Sequence, residues 1–556
     1  MKAFTEPLLS LAGFEEMTKT AEKSSGLISV TGCIDAQKSQ MIYAFGGHRK
    51  NKLIVTFGEQ KAKELYDEYS FFDKEVVYYP SKDVLFYQSD IRGNLLTAER
   101  IRALKAIREQ ERVTLVTTFD ALMNTMAPIE KMWENVLTLE QGQLLDLKEI
   151  QAALIRMGYE KEYQVQTMGQ FSVRGGILDV FPLTEENPIR IELWGDEIDT
   201  IRYFDCESQK SIENTDRVSI YPAAELVLSD EEKAGGIEKL KAEAKRVSDK
   251  LRKQMKTEEA HRVTVMADEL TEEWGELSMY AGMDAFLSYF FDERVGLLDY
   301  FNPSDSLIFF DELTRCAEQG KLTETEFSES MKQRLAMGYI LPGQMNGLFT
   351  EKEIVAKLEK YSCIALGALD NKANGLHQLG SYGIHCQSVS PYNNSFELLI
   401  KDLKRYKKNG YRVILLSGSR TRAKRLSEDI TDQGITCFYT ENYDHELFEG
   451  QIMVCYGKVR RGFEYPILKF AVITESDIFG AQQKKKKRHR TYEGEKIQSF
   501  TDLSVGDYVV HENHGLGIYR GIEKLEVDKK VKDYIKIEYQ GGSNLYILAT
   551  QLDMIQ

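Results

Sequence analysis

Residues with the spacing of a nucleotide-phosphate site occur at two places in this chain of 556 residues. Gly32-Cys-Ile-Asp-Ala-Gln-Lys38-Ser39 follows a β-rich run and has the GxxxxGK[ST] spacing of a P-loop, except at its second glycine. Leu307-Ile-Phe-Phe-Asp311-Glu312 is an apolar run that ends in two acids. In an NTPase, the lysine and hydroxyl would contact phosphate and magnesium, the aspartate would hold magnesium, and the glutamate would orient the attacking water.

Gln37 argues against a working phosphate cradle. It replaces the second glycine, and its Cβ disfavours the positive-φ backbone that lets a P-loop wrap a phosphate. No other GxxxxGK[ST] occurs in the chain. Lys38 and Ser39 can still supply a charge and a hydroxyl, so nucleotide binding stays open. Buried strands capped by acids are common, so the sequence predicts the remains of an NTPase fold, with no catalytic residue.

A second group of charged residues lies in a β-rich stretch. FSVRGGILDVFP at 171–182 predicts a hairpin with the Gly-Gly pair in its tight turn and Arg174 beside that turn. Strict alternation in the next strand places Arg190 and Trp194 on one face. A single arginine on a hairpin is usually only a solvated charge. Arginine and tryptophan together on an exposed strand face have the composition of a protein-binding hot spot.

The elements that must position these residues predict a multi-domain α/β protein, since the chain is too long for one core. Strands alternate with helical patterns in the first part, which indicates a parallel sheet. The strands of that sheet are predicted at 27–32, 52–57, 76–79 and 113–117. A second α/β unit is predicted at about 360–478, with strands at 362–366, 411–416, 436–439, 452–455 and 471–474.

The remaining segments differ in character. Short strands and turns dominate 133–222, which predicts a small α+β insert, and a charged helical pattern follows from Ser229 to about Leu277. The last sixty or so residues contain short strands with glycine turns, which predict a small β-barrel. The predicted domains are 1–130 and 223–350 for the first α/β domain, 131–222 for the insert, 351–480 for the second α/β domain, 481–500 for a basic linker and 501–556 for the barrel.

Composition restricts the class of protein. The net charge of −15 favours protein partners and confines any nucleic-acid contact to local patches. The run Lys484–Arg490 predicts a flexible basic linker, with DNA backbone binding or a nuclear signal as alternatives. No apolar run of about 18 residues predicts a membrane span. The seven scattered cysteines and the His511/His514 pair do not predict a metal site, and the cysteine usage favours a reducing cytoplasm.

The hairpin motif carries a specific resemblance. FSVRGGILDVFP, followed by RIELWGDEIDTIRYFD at 190–205, resembles the module shared by the excision-repair protein UvrB and the transcription-repair coupling factor (Mfd) family. In that family the module binds the UvrA damage-recognition protein. The resemblance implies that Arg174, Arg190 and Trp194 contact UvrA, although the third position is usually an aromatic such as phenylalanine.

Two departures favour the coupling-factor family over UvrB. That family keeps the RecA-type α/β fold of the first UvrB domain but has a degenerate nucleotide site. The altered P-loop of this chain agrees with that pattern. The segment 117–128 is also too short to hold the tyrosine-rich hairpin with which UvrB clamps damaged DNA. A UvrB-like, ATP-dependent DNA-damage clamp remains the alternative from another functional class.

The end of the chain carries a second resemblance. LSVGDYVVHENHGLGIYR at 503–520 resembles the RNA-polymerase-interacting domain of coupling factors and CarD, a Tudor-like barrel. The resemblance implies docking on the polymerase β subunit, and a barrel edge can accept a partner strand by β-augmentation. Leu516, Ile518, Arg520 and Leu525 are predicted to flank such an edge, and barrel core is the open alternative for Ile518 and Leu525. A third possibility is a protein that only binds and regulates polymerase, as CarD does. The long segment that precedes the barrel argues against it.

The resemblance also sets expectations for the whole chain. It implies a monomeric N-terminal fragment of a coupling factor that ends before the translocase motor. No cofactor is expected in this stretch, since ATP and magnesium would bind the motor, which would also make most DNA contacts. In the full-length family, a C-terminal domain covers the UvrA face until the motor engages DNA, so that face is expected to be open here.

Overall fold

The computed structural model describes residues 1–45, 49–82, 94–206, 208–276, 283–369, 375–480, 505–511, 515–527, 530–539 and 544–548. Within them the chain forms four larger sheets and one two-stranded sheet. The strands in chain order are β1 (Gly26–Thr31), β2 (Asn51–Thr56), β3 (Val77–Tyr79), β4 (Val113–Thr118), β5 (Leu137–Glu140), β6 (Glu160–Lys161), β7 (Gln170–Arg174), β8 (Ile177–Val180), β9 (Ile189–Trp194), β10 (Glu197–Phe204), β11 (Ser211–Thr215), β12 (Arg217–Ile220), β13 (Ser306–Asp311), β14 (Ser362–Leu366), β15 (Gln378–Gly383), β16 (Gln387–Ser388), β17 (Arg412–Ser417), β18 (Phe438–Tyr439), β19 (Ile452–Tyr456), β20 (Phe463–Tyr465), β21 (Phe470–Thr474), β22 (Tyr508–His511), β23 (Gly515–Val527), β24 (Lys530–Glu538) and β25 (Asn544–Leu548).

Helices connect most of these strands. In chain order they are α1 (Lys2–Leu9), α2 (Phe14–Lys23), α3 (Asp35–Phe45), α4 (Glu59–Tyr69), α5 (Asn94–Glu109), α6 (Phe119–Met123), α7 (Ile129–Glu134), α8 (Leu147–Arg156), α9 (Asp230–Lys253), α10 (Thr257–Glu276), α11 (Leu287–Phe290), α12 (Leu313–Ala336), α13 (Glu351–Leu358), α14 (Phe396–Lys408), α15 (Arg420–Asp432) and α16 (Glu475–Phe479). Short 3₁₀ turns lie at Met283–Phe286, Leu297–Tyr300 and Pro342–Asn346.

The first sheet has seven parallel strands in the order β15-β1-β14-β13-β2-β4-β3. Its central strands are apolar runs buried on both faces, as parallel strands covered by helices must be. The four strands predicted before residue 120 are confirmed. The assignment of 362–366 to the second α/β unit is wrong, because β14 pairs with β1 and β13 in this first sheet. The first sheet therefore extends to β15, past the predicted boundary at residue 350.

The insert between β4 and β13 is built on a six-stranded sheet in the order β11-β10-β9-β8-β7-β6. One face packs on α8, whose buried side chains are Ile150 and Leu154. Asp146 caps α8 by accepting hydrogen bonds from the amides of Lys148 and Glu149 at 2.7 and 3.4 Å. The opposite face of the sheet carries polar side chains.

The charged helical region after the insert is confirmed as two antiparallel helices, α9 and α10. Ser229 and Glu232 form a capping box at the start of α9, which fixes where that helix begins. Leu240, Ala244 and Leu251 lie on its buried stripe and contact α10 and α11 residues through a shared core. The same core also contains Ala127, Leu226 and Leu341.

The second sheet has the order β16-β20-β21-β17-β19-β18 and packs directly on the first α/β unit. One apolar core contains Ile28 and Phe309 from the first sheet and Ile414 and Phe463 from the second. A continuous core of this kind holds the two α/β units together, since burial of apolar surface drives their association.

At the end of the chain, β22 to β25 form a four-stranded antiparallel sheet in sequence order. The predicted β-rich character is confirmed, but β23 and β24 are longer than the short strands expected, and closure into a barrel stays a prediction. The basic run 484–490 and His514 lie outside the described residues. No described helix is long and apolar enough to cross a membrane, and no group of metal-binding side chains occurs among the described residues.

Candidate functional sites

The P-loop-like segment is folded as predicted, between β1 and α3, but its lysine is committed to the protein. Lys38 lies in the first turns of α3 and is 1% exposed, so water cannot solvate its charge. Its ammonium group donates to Asp311 at 2.5 Å, to Glu312 at 3.0 Å and to Asp35 at 3.1 Å. An ammonium group has three N–H donors, and here each has a carboxylate acceptor.

The charges around Lys38 keep it protonated. Burial alone would lower the pKa of Lys38, but Asp311 and Glu312 outweigh that effect and raise the pKa above its ordinary value. Asp311 also accepts a hydrogen bond from Thr56 at 3.2 Å. The two acids predicted to hold magnesium and orient water therefore neutralise the lysine.

The glycine and the glutamine of this segment serve packing. Gly32 has φ +76°, and a Cβ there would lie 2.1 Å from the carbonyl oxygen of Ile384, so only glycine fits. Gln37 is fully buried and accepts a hydrogen bond at 3.2 Å from the hydroxyl of Tyr465, on β20 of the second sheet. Ser39 is buried too, and its hydroxyl has no partner among the described residues. The second α/β unit therefore covers this segment.

The arginines of the insert form a second cation–carboxylate cluster, at the polar face of the six-stranded sheet. The predicted hairpin is confirmed: β7 and β8 pair with Arg174 opposite Ile177, and Gly175 in the turn has φ +61°. Strand pairing places Asp179 opposite Arg190 of β9. Arg190 donates to Asp179 at 2.7 and 2.9 Å, and Arg174 donates to it at 2.8 Å. We call these three residues the arginine cluster.

The two arginines of this cluster differ in how exposed their side chains are to solvent. The side chain of Arg174 is 36% exposed, whereas that of Arg190 is only 13% exposed. Arg190 lies over the ring of Phe204 at 4.3 Å and also donates to Gln209 at 2.9 Å. The expectation of a freely exposed Arg190 is therefore wrong, because a neighbouring strand and a loop cover it.

Trp194 is exposed, as the sequence predicts. It ends β9 and is 84% exposed, which is unusual for so large an apolar side chain. A shallow groove of about 720 Å³ lies beside it. The groove is lined by Glu140, Gln141, Gly142, Trp194, Glu197, Ile198, Asp199, Asp216 and Arg217. An exposed indole at the rim of a mainly acidic groove can contact both apolar and cationic groups of a protein partner.

The residues predicted to meet RNA polymerase lie on β23. Leu516 and Ile518 stand opposite β22, so they are one strand in from the sheet edge. Leu516 is exposed, Ile518 is half-buried, and Arg520 is exposed and paired with Glu538. Leu525 also lies on β23, at a position that pairs with β24 on one side and with no described strand on the other. Its side chain lies outside the described residues.

Comparison with known proteins finds family matches for the insert and for the C-terminal sheet. Residues 137–226 match the family described as the UvrB interaction domain, and residues 503–556 match the CarD-like/TRCF RID domain. The chain is 30% identical over 506 residues to the transcription-repair-coupling factor of Bacillus subtilis (strain 168), which covers 90% of the chain and 42% of that relative. The chain belongs to the transcription-repair-coupling factor family.

Other coupling factors match at similar levels. That of Staphylococcus haemolyticus is 29% identical over 541 residues, covering 95% of the chain, and that of Staphylococcus aureus (strain USA300) is 28% identical over 558 residues, covering 98%. The chain spans less than half the length of these coupling factors, 45% and 46% respectively.

The sequence of this coupling-factor family member did not reveal the central role of Asp179. That residue lies within the hairpin motif, and the pairing of β8 with β9 sets it opposite Arg190. Counting strand alternation back from the turn would have placed it on the arginine face. It is 1% exposed and accepts hydrogen bonds from both arginines, so it sets their orientation.

Proposed function

We propose that the chain is an adaptor of transcription-coupled nucleotide excision repair, which recruits UvrA through the insert and docks on the RNA polymerase β subunit through its C-terminal sheet. The observation that carries the proposal is Trp194, exposed at the end of β9, the strand that also carries Arg190, within a UvrB interaction domain. A CarD-like domain on the same chain supplies the second attachment. Two docking surfaces on one chain are what coupling of polymerase to repair requires.

The geometry of the insert supports a protein partner. Arg174 makes one hydrogen bond among the described residues, to Asp179, so most of its five N–H donors remain for a partner. Trp194 offers a large apolar surface at the end of β9 in the same sheet, and such arginine and tryptophan anchors dominate binding energy at interfaces. The strands beneath both residues are held by a buried core, which fixes their positions without a partner.

A pull-down with purified UvrA tests this assignment. The triple variant Arg174→Ala/Arg190→Ala/Trp194→Ala should lose most UvrA binding, since each anchor contributes roughly 1–4 kcal/mol. Arg156→Ala is the control, because Arg156 is exposed on α8, behind the opposite face of the sheet. Unchanged capture by the triple variant would remove the proposal.

A polymerase test is independent of the first. Leu516→Ala/Arg520→Ala should weaken binding to the isolated β subunit by roughly tenfold, because both side chains are exposed on the outer surface of β23. Tyr546→Ala is the control, on the partly exposed far strand β25. Equal loss in both variants would argue for general damage to the sheet and against this docking site.

We assign no ATP hydrolysis to this chain. Lys38 already uses its three donors within the protein, and Tyr465 covers the neighbouring Gln37. ATP, magnesium and DNA translocation belong, in this proposal, to another part of a coupling factor. Calorimetry with about 1 mM Mg-ATP should show no saturable binding. Sub-millimolar binding that disappears in Lys38→Ala would instead support the UvrB-like clamp.

A further inference from the structure

The carboxyl edge of the second sheet concentrates positive charge in a chain whose net charge is −15. Two segments meet there: the start of α15, which follows β17, and the loop 457–462, which follows β19. The amide of Gly457 donates to the carbonyl of Ser417 at 3.0 Å and joins them. Together they expose seven cationic side chains, which we call the basic edge: Arg420, Arg422, Lys424, Arg425, Lys458, Arg460 and Arg461.

Part of this charge is not neutralised by the protein. Arg420 pairs with Glu441 at 3.3 Å, Arg460 pairs with Glu64 at 2.6 Å, and Arg422 pairs with Glu475. The other four cations make no ion pair with any described residue: Lys424, Arg425, Lys458 and Arg461. Unpaired charges grouped on one surface raise the local potential, so this edge attracts anions despite the acidic chain.

The position of the basic edge within the sheet also suits a ligand. After β17 the chain continues through α15 to β18, and β18 and β19 lie on one side of β17 in the sheet. β21 lies on the other side of β17, so the strand order changes direction there. Ligands of open α/β sheets bind outside the carboxyl ends of strands at such a point.

An anionic group already occupies the centre of this edge. The carboxylate of Glu475 accepts from the amide of Gly418 at 2.5 Å, from the hydroxyl of Ser417 at 2.9 Å and from Arg422. Because the donors where α15 begins are used by Glu475, the cations left for an external anion are the four that form no ion pair in the described part of the chain.

We propose that the basic edge binds the phosphate backbone of a nucleic acid, independently of sequence. Five of its seven cations are arginines, whose planar guanidinium groups match phosphate oxygens and lose little hydration. A DNA duplex carries about one charge per 1.7 Å, roughly twice the density of a fully acidic extended peptide, so counterion release favours it. This inference goes beyond the proposed function, which assigns only protein partners to the described residues.

The helix α9 offers a matched comparison within the same chain. It also carries exposed lysines, but acids such as Glu243 and Asp249 are interspersed with them along one helix. That arrangement is typical of a solvated helix face. We therefore expect four α9 lysines to contribute little to nucleic-acid binding: Lys241, Lys245, Lys250 and Lys253.

The test measures fluorescence anisotropy of labelled DNA, about 20 nucleotides long, as duplex and as single strand, with the whole chain at about 50 and 200 mM salt. The variant Lys424→Gln/Arg425→Gln/Lys458→Gln/Arg461→Gln should weaken binding at least roughly tenfold and reduce the salt slope by about 3 to 4. The control Lys241→Gln/Lys245→Gln/Lys250→Gln/Lys253→Gln removes the same charge and should stay within about twofold. A stronger effect on duplex or on single strand identifies which form is bound.

Four results would overturn the proposal. The first is a failure of the unaltered chain to bind DNA at the lower salt, and the second is an equal loss of affinity in the α9 control and the basic-edge variant. The third is loss of binding when Lys484 to Lys487 are replaced by glutamine while the basic-edge variant still binds, which would assign binding to that run. The fourth is binding of polyglutamate of equal length as tight as that of DNA, which would indicate an acidic protein partner.

Discussion

Lys38 and Arg190 each bind a buried aspartate, and the two ion clusters differ in what surrounds them. Lys38 spends all three donors on Asp35, Asp311 and Glu312, beneath the second α/β unit. In the arginine cluster, Asp179 is equally buried, but Arg174 extends from it towards solvent with most of its donors unused. The Lys38 cluster has the residue types of a ligand site, but the protein covers it. The arginine cluster has suitable residue types and is also exposed to solvent through Arg174.

The difference teaches that residue type and spacing do not by themselves define a site. A buried ion pair contributes geometry to the fold, because breaking it leaves a charge without water or partner. A partly exposed arginine whose position is fixed by a buried aspartate can bind a partner at little cost in side-chain entropy. We therefore expect changes at Lys38 to affect stability, and changes at the surface of the arginine cluster to affect binding.

The largest effect is expected at Lys38. Lys38→Met leaves Asp311 buried without its cation, and this should lower the free energy of unfolding by about 3–5 kcal/mol. Urea unfolding followed by circular dichroism measures the change. Lys61→Met is the control, because Lys61 pairs at 2.9 Å with the exposed Asp35, and should cost less than about 1 kcal/mol. Equal losses would show that the buried pair is not special.

The double variant Lys38→Met/Asp311→Leu sharpens that result. Removing both charges replaces a broken ion pair by apolar packing, so much of the lost stability should return. Lower stability in the double variant than in Lys38→Met would mean that Asp311 is held mainly by Thr56 and not by the lysine.

A smaller loss of stability is expected when Arg190, the more buried arginine of the arginine cluster, is removed. Arg190→Ala removes two hydrogen bonds from the buried Asp179 and should lower the free energy of unfolding by about 2–3 kcal/mol. Thermal unfolding of the chain provides the measurement. Arg156→Ala should change stability by less than about 0.5 kcal/mol. A neutral Arg190→Ala would show that Arg174 alone satisfies the aspartate.

Glu68 provides a third arrangement, a buried carboxyl group that forms no ion pair with any described side chain. Burial raises the pKa of Glu68 from 4.5 to about 7, although Lys61 and Arg460 partly oppose the shift. Because the folded state favours the protonated form, this stabilisation is complete below about pH 4.5 and is lost as pH rises through about 7. Glu68→Gln should therefore be more stable than the unaltered chain at pH 8, by about 3 kcal/mol. Parallel pH–stability curves for the two proteins would contradict this.

The smallest stability effect is expected at Trp194. Its side chain is 84% exposed, so Trp194→Ala should change the free energy of unfolding by less than about 0.5 kcal/mol. Thermal unfolding checks this, with Trp274→Ala as the opposite control, since Trp274 is fully buried between Phe286 and Phe290. A destabilised Trp194→Ala would assign the indole a packing role.

Much of the local structure could be predicted from the sequence. Alternation and the Gly-Gly turn located the insert hairpin, and apolar runs located the strands of both α/β units. The segment Ser362–Leu366 was recognised as a strand but assigned to the wrong sheet. A parallel strand buried on both faces has the same apolar pattern in any sheet, and only its non-local pairing with β1 and β13 decides its place.

The site residues were found more completely than their surroundings. Lys38, Asp311 and Glu312 were selected by spacing, but their closure on one another depends on strands that are distant in sequence. Gln37 was correctly seen as a departure from a P-loop, whereas its contact with Tyr465 depends on packing between the two α/β units. Asp179 was missed because an aspartate in a strand gives no signal until the register of β8 against β9 is known.

The most direct test of the central claim is the affinity of the whole chain for UvrA, measured by calorimetry for Trp194→Ala and Tyr163→Ala. Tyr163 is as exposed as Trp194, at 83%, and lies beside β7 in the same insert. We predict that Trp194→Ala weakens UvrA binding at least roughly tenfold and that Tyr163→Ala leaves it within about twofold. Affinities for both variants within about twofold of the unaltered chain would contradict the account.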